Sequence, residues 1–314
     1  MATPRDVSDT AVPARASDVV VRAVPVDTLA AALGLGGHEL VALVGGGGKT
    51  GALQFLAEEL AQGGSRVGVT TTTAMFLRDM AVVGPVVMGA GGRDTVEGVR
   101  EALVRNPVVA LARSAVEGGK GAGLPPAVVD GLWAADLVDH LIVEADGSRG
   151  RSLKAFGPHE PQVPAATTTI VPTAGLDVIG APLDEEHVHR AGTLAALLAS
   201  ALGSEVTVDV FADAVRAQVR RLRQDWGSRR IVALLNKADG PQEQARGLAV
   251  ALGLLTGARA ADRRLRPDAD DHGHADEHGH ADERGHADER PDSVVVASLR
   301  ERRFALVSAI DVSA

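Results

Sequence analysis

Short apolar runs alternate with segments of helical periodicity along most of the chain. The apolar runs have the length of β-strands and lie at Glu39–Val44, Arg66–Thr70, Val82–Met88, Pro107–Ala112, His140–Glu144, Thr168–Pro172, Arg230–Asn236 and Ser293–Ala297. The helical segments lie at Thr50–Gln62, Thr95–Arg105, Ala127–Ala135, Thr193–Leu202, Val208–Arg223 and Glu243–Leu255. Near-continuous apolar strands separated by helices are typical of a mostly parallel sheet covered on both faces. The pattern therefore predicts an α/β fold with a doubly wound sheet in a three-layer α/β/α arrangement.

Polar residues follow four of the predicted strands directly. A run of glycines follows the first strand and a run of threonines the second, while Glu144 and Asn236 end two later strands. Open α/β sheets bind their ligands at the carboxyl ends of the strands, which in a parallel sheet share one edge. We therefore expect these polar groups to lie close together.

Two segments interrupt the alternation. Residues 1–18 are polar, contain Pro4 and Pro13, and lack the apolar stretch of a signal peptide, so we expect a disordered tail. Residues 262–292 include a six-residue repeat, Gly-His-Ala-Asp-Glu followed by His or Arg. The repeat has no large apolar side chain, so it cannot bury enough surface to offset the entropy of ordering. We expect a disordered insertion within a single domain that spans residues 19–314.

The composition narrows the class of protein. The chain has 314 residues, 45% of them hydrophobic, which is enough for a substantial core. It contains no Cys, so disulfides and thiolate metal ligands are excluded. No apolar run reaches the roughly 18 residues of a spanning helix, and we expect a cytoplasmic protein without a membrane partner. Most of the net charge of −9 lies in the acidic insertion, so no basic surface indicates nucleic acid.

The first strand runs into a glycine-rich loop with a lysine and a threonine at its end. The segment contains Gly45, Gly46, Gly47, Gly48, Lys49 and Thr50. Successive glycines let backbone N–H groups approach a polyphosphate, and the following helix begins with partial positive charge. A lysine here can reach the terminal phosphates, and a threonine hydroxyl can ligate Mg²⁺. The segment therefore predicts a site for GTP or ATP with Mg²⁺.

This loop departs from the usual phosphate-loop spacing. The pattern places a glycine five residues before the last one, and that position is Leu43. The alternative interpretation is a glycine-rich turn from strand to helix with an incidental Lys-Thr pair.

An apolar strand that ends in Glu144 and Asp146 gives the second signal. Nucleotide hydrolases hold Mg²⁺ and its waters with acidic residues at such a position. One carboxylate can hold the metal with Thr50 while the other orients the attacking water, and the sequence does not assign these two roles. The alternative is an acidic turn after a buried strand.

Four threonines, from Thr70 to Thr73, follow the second strand. The hydroxyls of Thr71 and Thr72 can ligate Mg²⁺ or contact the γ-phosphate, as switch loops do. Threonine is also common in strands, so an ordinary strand composition is the alternative.

The motif Asn236-Lys237-Ala238-Asp239 ends a late strand. A carboxylate at Asp239 can accept both N–H groups on one edge of guanine, whereas adenine presents the wrong pattern. In this interpretation Lys237 lies over the base, Asn236 braces the loop, and the segment around Ser298 supplies further contacts to the base. The motif favours GTP over ATP.

Several charged residues follow Asp146. Arg149 or Arg151 can neutralise the charge that develops on a transferring phosphoryl group. Lys154, His159 and Glu160 can instead face a second substrate. A solvated surface is the ordinary alternative for each of them.

Half of the ten histidines lie between His272 and His286, within the insertion. Histidine-rich tracts hold Zn²⁺ or Ni²⁺ loosely through imidazole. The spacing matches no rigid site with four ligands, so a solvated acidic linker is the alternative.

These motifs together resemble the YqeC family, accessory proteins of selenium-dependent molybdenum hydroxylases. The resemblance spans roughly Leu40 to Leu299 and rests on the order of the motifs, which are the glycine loop, Thr70–Thr73, Glu144-Ala145-Asp146-Gly147-Ser148-Arg149-Gly150, Lys154, His159-Glu160-Pro161, Val188-His189-Arg190 and Asn236–Asp239. It implies a P-loop NTPase-like fold and a role in maturing a molybdenum hydroxylase or its cofactor.

Three functional hypotheses remain open from the sequence. In the first, the chain is an Mg²⁺-dependent NTPase that serves hydroxylase maturation, and GTP is its expected substrate. Its catalytic residues would be Lys49, Glu144, Asp146 and Arg149. Alternatively, it is a metallochaperone GTPase that uses the His-rich insertion as a metal reservoir. The third hypothesis is a nucleotide-responsive binding module without turnover.

Overall fold

The computed structural model of the chain describes residues 19–227, 229–257 and 290–311. The predicted N-terminal tail and nearly all of the predicted insertion, with its His-rich repeat, lie outside these ranges. Within them, the helices are too short or too polar to cross a lipid bilayer.

Strands and helices alternate through the described ranges. The strands are β1 (Val19–Val26), β2 (Glu39–Gly45), β3 (Val67–Thr71), β4 (Met75–Phe76), β5 (Val86–Met88), β6 (Val108–Ala112), β7 (Ser114–Val116), β8 (Lys120–Ala122), β9 (His140–Glu144), β10 (Leu153–Lys154), β11 (Thr169–Gly175), β12 (Val188–His189), β13 (Arg230–Asn236), β14 (Ser293–Ser298) and β15 (Arg303–Asp311). The helices are α1 (Leu29–Ala32), α2 (Lys49–Gln62), α3 (Leu77–Ala81), α4 (Arg93–Leu103), α5 (Pro126–Ala134), α6 (Ala191–Leu197), α7 (Val208–Trp226) and α8 (Pro241–Thr256).

The main sheet is mostly parallel, as the sequence predicts. Its strand order is β1-β15-β14-β13-β11-β2-β9-β3-β6-β5, and every pair from β14 to β5 is parallel. The chain adds β3, β6 and β5 on one side of β2, and β11, β13 and β14 on the other. The carboxyl end of β2 therefore lies at the point where the winding reverses, which is where such sheets form their ligand crevice.

The antiparallel edge of the sheet was not predicted. The predicted order ends with the strand at Ser293–Ala297, but the chain turns back into β15, and β1 pairs antiparallel with β15 from Val19 opposite Asp311 to Val26 opposite Phe304. Pro25 is tolerated in β1 because an edge strand has one side without partners.

Two other predicted boundaries are wrong for local reasons. The predicted strand Val82–Met88 begins only at Val86. Residues before it end α3, and Gly84 passes so close to Val108 that a Cβ there would lie 2.4 Å from the Val108 carbonyl oxygen. The predicted helix Thr193–Leu202 ends at Leu197, and Ala199 has a left-handed φ of 51° that cannot continue a helix.

Apolar side chains cover both faces of the sheet. Leu40, Ala42 and Val44 of β2 belong to a hydrophobic cluster with α4, α5, α7 and α8. Val41 and Leu43 of the same strand point the other way, into a cluster with α1, α2 and α3. Burial on both faces explains the near-continuous apolar strands, and it leaves the strand ends as the places for polar chemistry.

Two small sheets extend the carboxyl edge of the main one. Strands β4, β8 and β7 form an antiparallel sheet, and the short parallel pair β10–β12 sets Lys154 beside His189. The second pair joins two polar segments that are 35 residues apart in sequence.

Candidate functional site

The glycine loop (Gly45–Gly48) leads from β2 into α2, and its backbone needs glycine. Gly45, Gly47 and Gly48 have positive φ angles of 90°, 67° and 101°. A Cβ on Gly47 would lie 2.1 Å from the backbone nitrogen of Gly175. These conformations and close approaches exclude side chains, because L-residues rarely adopt such angles and no space remains.

Three of the four glycine amides bond to the protein itself. The N–H of Gly45 donates to Asp146 Oδ2 at 2.9 Å, that of Gly46 to the Thr173 carbonyl at 2.8 Å, and that of Gly47 to the Arg151 carbonyl at 3.1 Å. This differs from the expectation that the whole run faces a phosphate.

The free donors lie one step further along the chain. The N–H groups of Gly48, Lys49, Thr50 and Gly51 have no hydrogen-bond partner within the described ranges. Gly48 and Gly51 are exposed, and α2 begins here with 14 residues aligned behind it. Unpaired amides at the start of a long helix form a ready site for an anion.

Lys49 is the first residue of α2 and points back into the loop. Its Nζ lies 2.5 Å from the Gly45 carbonyl oxygen and 3.1 Å from Asp146 Oδ1. The side chain is only 2% exposed. The ammonium therefore lies at the start of the glycine loop, with a carboxylate as its counterion.

Asp146 lies between two buried lysines. Its Oδ2 accepts from the Gly45 amide and lies 3.0 Å from Lys154 Nζ, while its Oδ1 faces Lys49. The residue is completely buried. Both carboxylate oxygens face cations, although Oδ1 accepts no hydrogen bond within the described ranges. The geometry makes Asp146 a counterion that holds Lys49, and its predicted metal role stays a prediction.

Glu144 contacts the first turn of α2 through Thr50. Its Oε2 accepts a hydrogen bond from the Thr50 hydroxyl at 2.9 Å, at the first turn of α2. Burial raises the pKa of Glu144, while the charge of Lys49 and the hydroxyl of Thr50 oppose that rise. The pair offers adjacent carboxylate and hydroxyl oxygens, the ligand types that Mg²⁺ prefers.

This donor set fits a nucleotide-bound magnesium ion better than a protein-only metal site. No group of three His, Cys, Asp or Glu side chains in the described ranges could hold a metal ion. Mg²⁺ at phosphate sites keeps several waters and takes only one or two protein ligands besides the phosphates. Thr50 and Glu144 satisfy that requirement.

The threonine run lies next to Glu144, but its hydroxyls bond to the backbone. Thr70 donates to the Leu111 carbonyl and Thr71 to the Glu144 carbonyl, each at 2.9 Å. Thr72 donates to the Gln162 carbonyl at 2.8 Å. In this arrangement Thr71 and Thr72 fix the ends of β3 and β9, and their contact with a phosphate or metal stays a prediction.

The Asn236–Asp239 segment (the base loop) contacts the glycine loop directly. Asn236 Nδ2 donates to the Gly47 carbonyl at 2.8 Å, which is the bracing role expected from the sequence. Lys237 has a left-handed φ of 64°, and its Nζ lies 2.7 Å from both Ser152 Oγ and Asp177 Oδ2. Neither contact of Lys237 has a sequence signal, because Ser152 and Asp177 follow different strands.

Asp239 is exposed at the end of the base loop. The Ser298 hydroxyl donates to Asp239 Oδ1 at 2.6 Å, and Ser298 itself is buried at the end of β14. The structure thus brings together the two segments that the sequence assigned to one base. The bond orients the Asp239 carboxylate at the same edge of the sheet as the glycine loop.

A second group of charges extends from Asp146 away from the glycine loop. Lys154 is completely buried and donates to the Gly147 carbonyl and to Glu160 Oε2, both at 2.6 Å. Arg190 binds Glu160 through two nitrogens, at 2.6 and 3.1 Å. The sequence suggested Lys154 and Glu160 as partners of a second substrate, but it gave no signal that Arg190 joins them.

Glu160 is held in its ionised form. Burial by itself raises its pKa, but the hydrogen bonds from Arg190 and Lys154 outweigh burial and lower the pKa to about 2. The predicted catalytic residue Arg149 lies nearby, exposed and with a left-handed φ of 51°.

The comparisons with known proteins support the resemblance to the YqeC family over part of the chain. The family described as YqeC protein matches residues 41–192 of this chain. The Escherichia coli (strain K12) protein described as "Uncharacterized protein YqeC" is 36% identical over 169 residues. That alignment covers 52% of this chain and 64% of the relative, so the chain spans less than two thirds of the relative's length.

One solved structure resembles the fold weakly. FtsY from Mycoplasma mycoides is 13% identical, and the match covers 68% of this chain and 47% of that one with a TM-score of 0.23. A likeness of this size carries no argument about function.

Proposed function

We propose that this chain binds a nucleoside triphosphate with Mg²⁺ at the glycine loop and hydrolyses it, with GTP as the preferred nucleotide. The proposal treats the site as a P-loop NTPase-like site in which the phosphates meet the start of α2. The role of the hydrolysis is the maturation of a selenium-dependent molybdenum hydroxylase or of its cofactor. This last step rests on the resemblance of the ordered motifs to the YqeC family.

The observation that carries the proposal is the first turn of α2. Unpaired N–H groups from Gly48 to Gly51, the buried ammonium of Lys49 and the hydroxyl of Thr50 converge there. A polyphosphate needs amides and a cation at this position, and Mg²⁺ needs the hydroxyl.

The role of the metal follows from Thr50 and Glu144. When bound, Mg²⁺ neutralises charge on the β- and γ-phosphates. Thr50 and Glu144 would hold it, and Asp146 keeps Lys49 beside the phosphates. These assignments give Glu144 the metal role that the sequence left open between Glu144 and Asp146.

Support for guanine comes from the base loop. Asn236 joins this loop to the glycine loop, and Ser298 orients the exposed carboxylate of Asp239. A carboxylate held in this way can accept the two N–H groups on one edge of guanine, and it meets no such pair on adenine.

Thermal-shift titrations with ATP, GTP, CTP and GDP, with and without Mg²⁺, test the proposal. A ligand of the native state raises the unfolding midpoint by mass action. We expect the largest shift with GTP and Mg²⁺, and phosphate release under the same conditions. If none of the nucleotides shifts the midpoint, the proposed site is wrong.

The base assignment has its own variant. D239N replaces an acceptor by a donor, so GTP should bind at least about tenfold more weakly and xanthosine triphosphate more tightly. The control D94N changes an exposed carboxylate on α4 and should leave the preference unchanged. An unaltered preference for GTP in D239N would contradict the assignment.

A further inference from the structure

A cavity of about 470 Å³ opens next to the glycine loop, on the other side of Asp146. Its lining includes Thr73, Gly147, Arg149, Glu160 and His189. The lining segments follow β3 and β9 and include the β10–β12 neighbourhood, so the cavity lies at the carboxyl edge of the sheet. Its volume falls within the roughly 300–1,000 Å³ of small-molecule sites.

Two acids line the cavity, Glu160 and Glu185, and the first is already compensated. Glu160 bonds to Lys154 and to both terminal nitrogens of Arg190, and Arg190 also donates to the Ala155 carbonyl at 3.2 Å. The second acid, Glu185, is exposed and accepts a hydrogen bond from the Arg190 backbone N–H at 3.2 Å. A bound anion would therefore meet a neutralised Glu160 and would have to lie on the Arg149 side of the cavity, away from Glu185.

Arg149 is a cation of the cavity lining that takes no part in this network. It lines the cavity, is exposed, and its guanidinium makes no hydrogen bond or ion pair with any side chain or carbonyl of the described ranges. A free guanidinium at the mouth of a cavity can bind a carboxylate or phosphate through two parallel hydrogen bonds.

The pKa of His189 is lowered in the cavity. Burial lowers its pKa first, and Arg190, Lys154 and Arg149 lower it further, while Glu160 is the group that raises it. The lowered pKa keeps the imidazole neutral near pH 7. The cavity therefore offers a neutral hydrogen-bonding ring beside Arg149.

The cavity and the glycine loop share one buried carboxylate. Asp146 lies 3.1 Å from Lys49 Nζ on one side and 3.0 Å from Lys154 Nζ on the other. Lys154 in turn bonds to Glu160 in the cavity wall. This chain of ion pairs links the wall of the cavity to the glycine loop.

We propose that this cavity binds a second small molecule, and that a carboxylate or phosphate group of that molecule pairs with Arg149. The molecule's place as a co-substrate beside the nucleotide rests on the proposed function, whereas the binding of the anion does not. His189 and Thr73 supply further hydrogen bonds to its polar groups.

Calorimetric titrations of the full chain with two probes, citrate and inorganic phosphate, test this proposal. Citrate reports a site for carboxylates, and phosphate a site for phosphoryl groups. We expect R149Q to weaken the binding of at least one probe about tenfold, because the variant loses one charge-assisted pair. The matched control R105Q changes an exposed arginine at the opposite edge of the sheet and should bind as the wild type does.

The variant K49A separates the two sites. It removes the cation of the glycine loop, so GTP binding should be lost while binding of the probe is kept. Loss of probe binding in K49A but not in R149Q would place the anion at the glycine loop and overturn the proposal. Absence of binding of both probes to the wild type at millimolar concentration would also overturn it. A wild type that binds a probe but no nucleotide would refute the proposed function alone.

Discussion

Asp146 and Glu144 are two residues apart, yet their surroundings give them different chemistry. Asp146 is paired with two lysines and a backbone amide, so its charge is compensated inside the protein. Glu144 meets only the hydroxyl of Thr50 as a close side-chain partner within the described ranges. A buried carboxylate with one donor is poorly stabilised and benefits from a cation, whereas Asp146 already has two.

At the same scale, Glu160 predicts a dependence of stability on pH. Its pKa is lowered from 4.5 to about 2, so its stabilising contribution is complete above pH 4.5 and is lost as the pH falls toward 2. We expect the free energy of unfolding of the wild type to fall by roughly 1–2 kcal/mol more than that of E160Q over this interval. Urea unfolding at a series of pH values measures the difference.

A matched variant removes the general effect of acid. E101Q changes an exposed glutamate on α4 and should follow the wild-type curve. If wild type and E160Q lose stability in parallel between these pH values, Glu160 does not carry the predicted linkage.

At the scale of elements, the strand–loop–helix unit from β2 to α2 is held from both sides. Strand β11 contacts it through the Thr173 carbonyl, the segment after β9 through the Arg151 carbonyl, and the end of β13 through Asn236. The loop is therefore preorganised by neighbours that are distant in sequence. Such support keeps the amides of α2 in place without the ligand.

Two glycine substitutions within this unit should have opposite effects. G47A forces a left-handed φ on alanine and sets its Cβ 2.1 Å from the Gly175 nitrogen, so we expect a loss of at least about 2 kcal/mol in stability. G51A lies in the first turn of α2, where the nearest atom is a flexible Leu299 methyl 4.0 Å away. Because alanine favours helices, G51A should gain up to about 1 kcal/mol.

Chemical unfolding of both variants measures this pair. Equal stabilities of G47A and wild type would mean that the close contact between the glycine loop and Gly175 does not exist. A clear loss in G51A would contradict an ordinary helical turn at that position.

At the scale of the whole molecule, one sheet joins two hydrophobic clusters. Residues of β2 alternate between the two clusters. If either cluster lost its packing, one face of the shared sheet would be exposed to solvent. This arrangement predicts a single cooperative unfolding transition for the described part of the chain.

Substitutions on the two faces test that cooperativity. F211A removes a fully buried ring on α7, and L53A a fully buried side chain on α2 at the opposite face. We expect each to cost about 3–5 kcal/mol and to shift one common transition, seen alike by circular dichroism and fluorescence. The control L248A, on the exposed side of α8, should cost less than about 1 kcal/mol.

Two separate transitions in either core variant would show that the faces unfold independently. That outcome would contradict the single domain expected from the sequence.

The sequence by itself determined the class of fold and the position of the polar edge. Burial on both faces of a parallel sheet requires continuous apolar strands, and that pattern is local and readable. The edge strands β1 and β15 escaped the prediction because their antiparallel pairing depends on segments that lie almost 300 residues apart.

Only the tertiary structure decided what each polar group contacts. The sequence shows that Glu144 and Asp146 are two residues apart, but it does not show their partners. In the structure, Asp146 lies between Lys49 and Lys154 and is an internal counterion, whereas Glu144 lies beside Thr50. Likewise, the free amides lie at Gly48 and beyond because a distant carboxylate and two distant carbonyls accept from the earlier ones. Hydrogen-bond and ion-pair partners come from all parts of the chain, so their assignment follows from packing and not from local pattern.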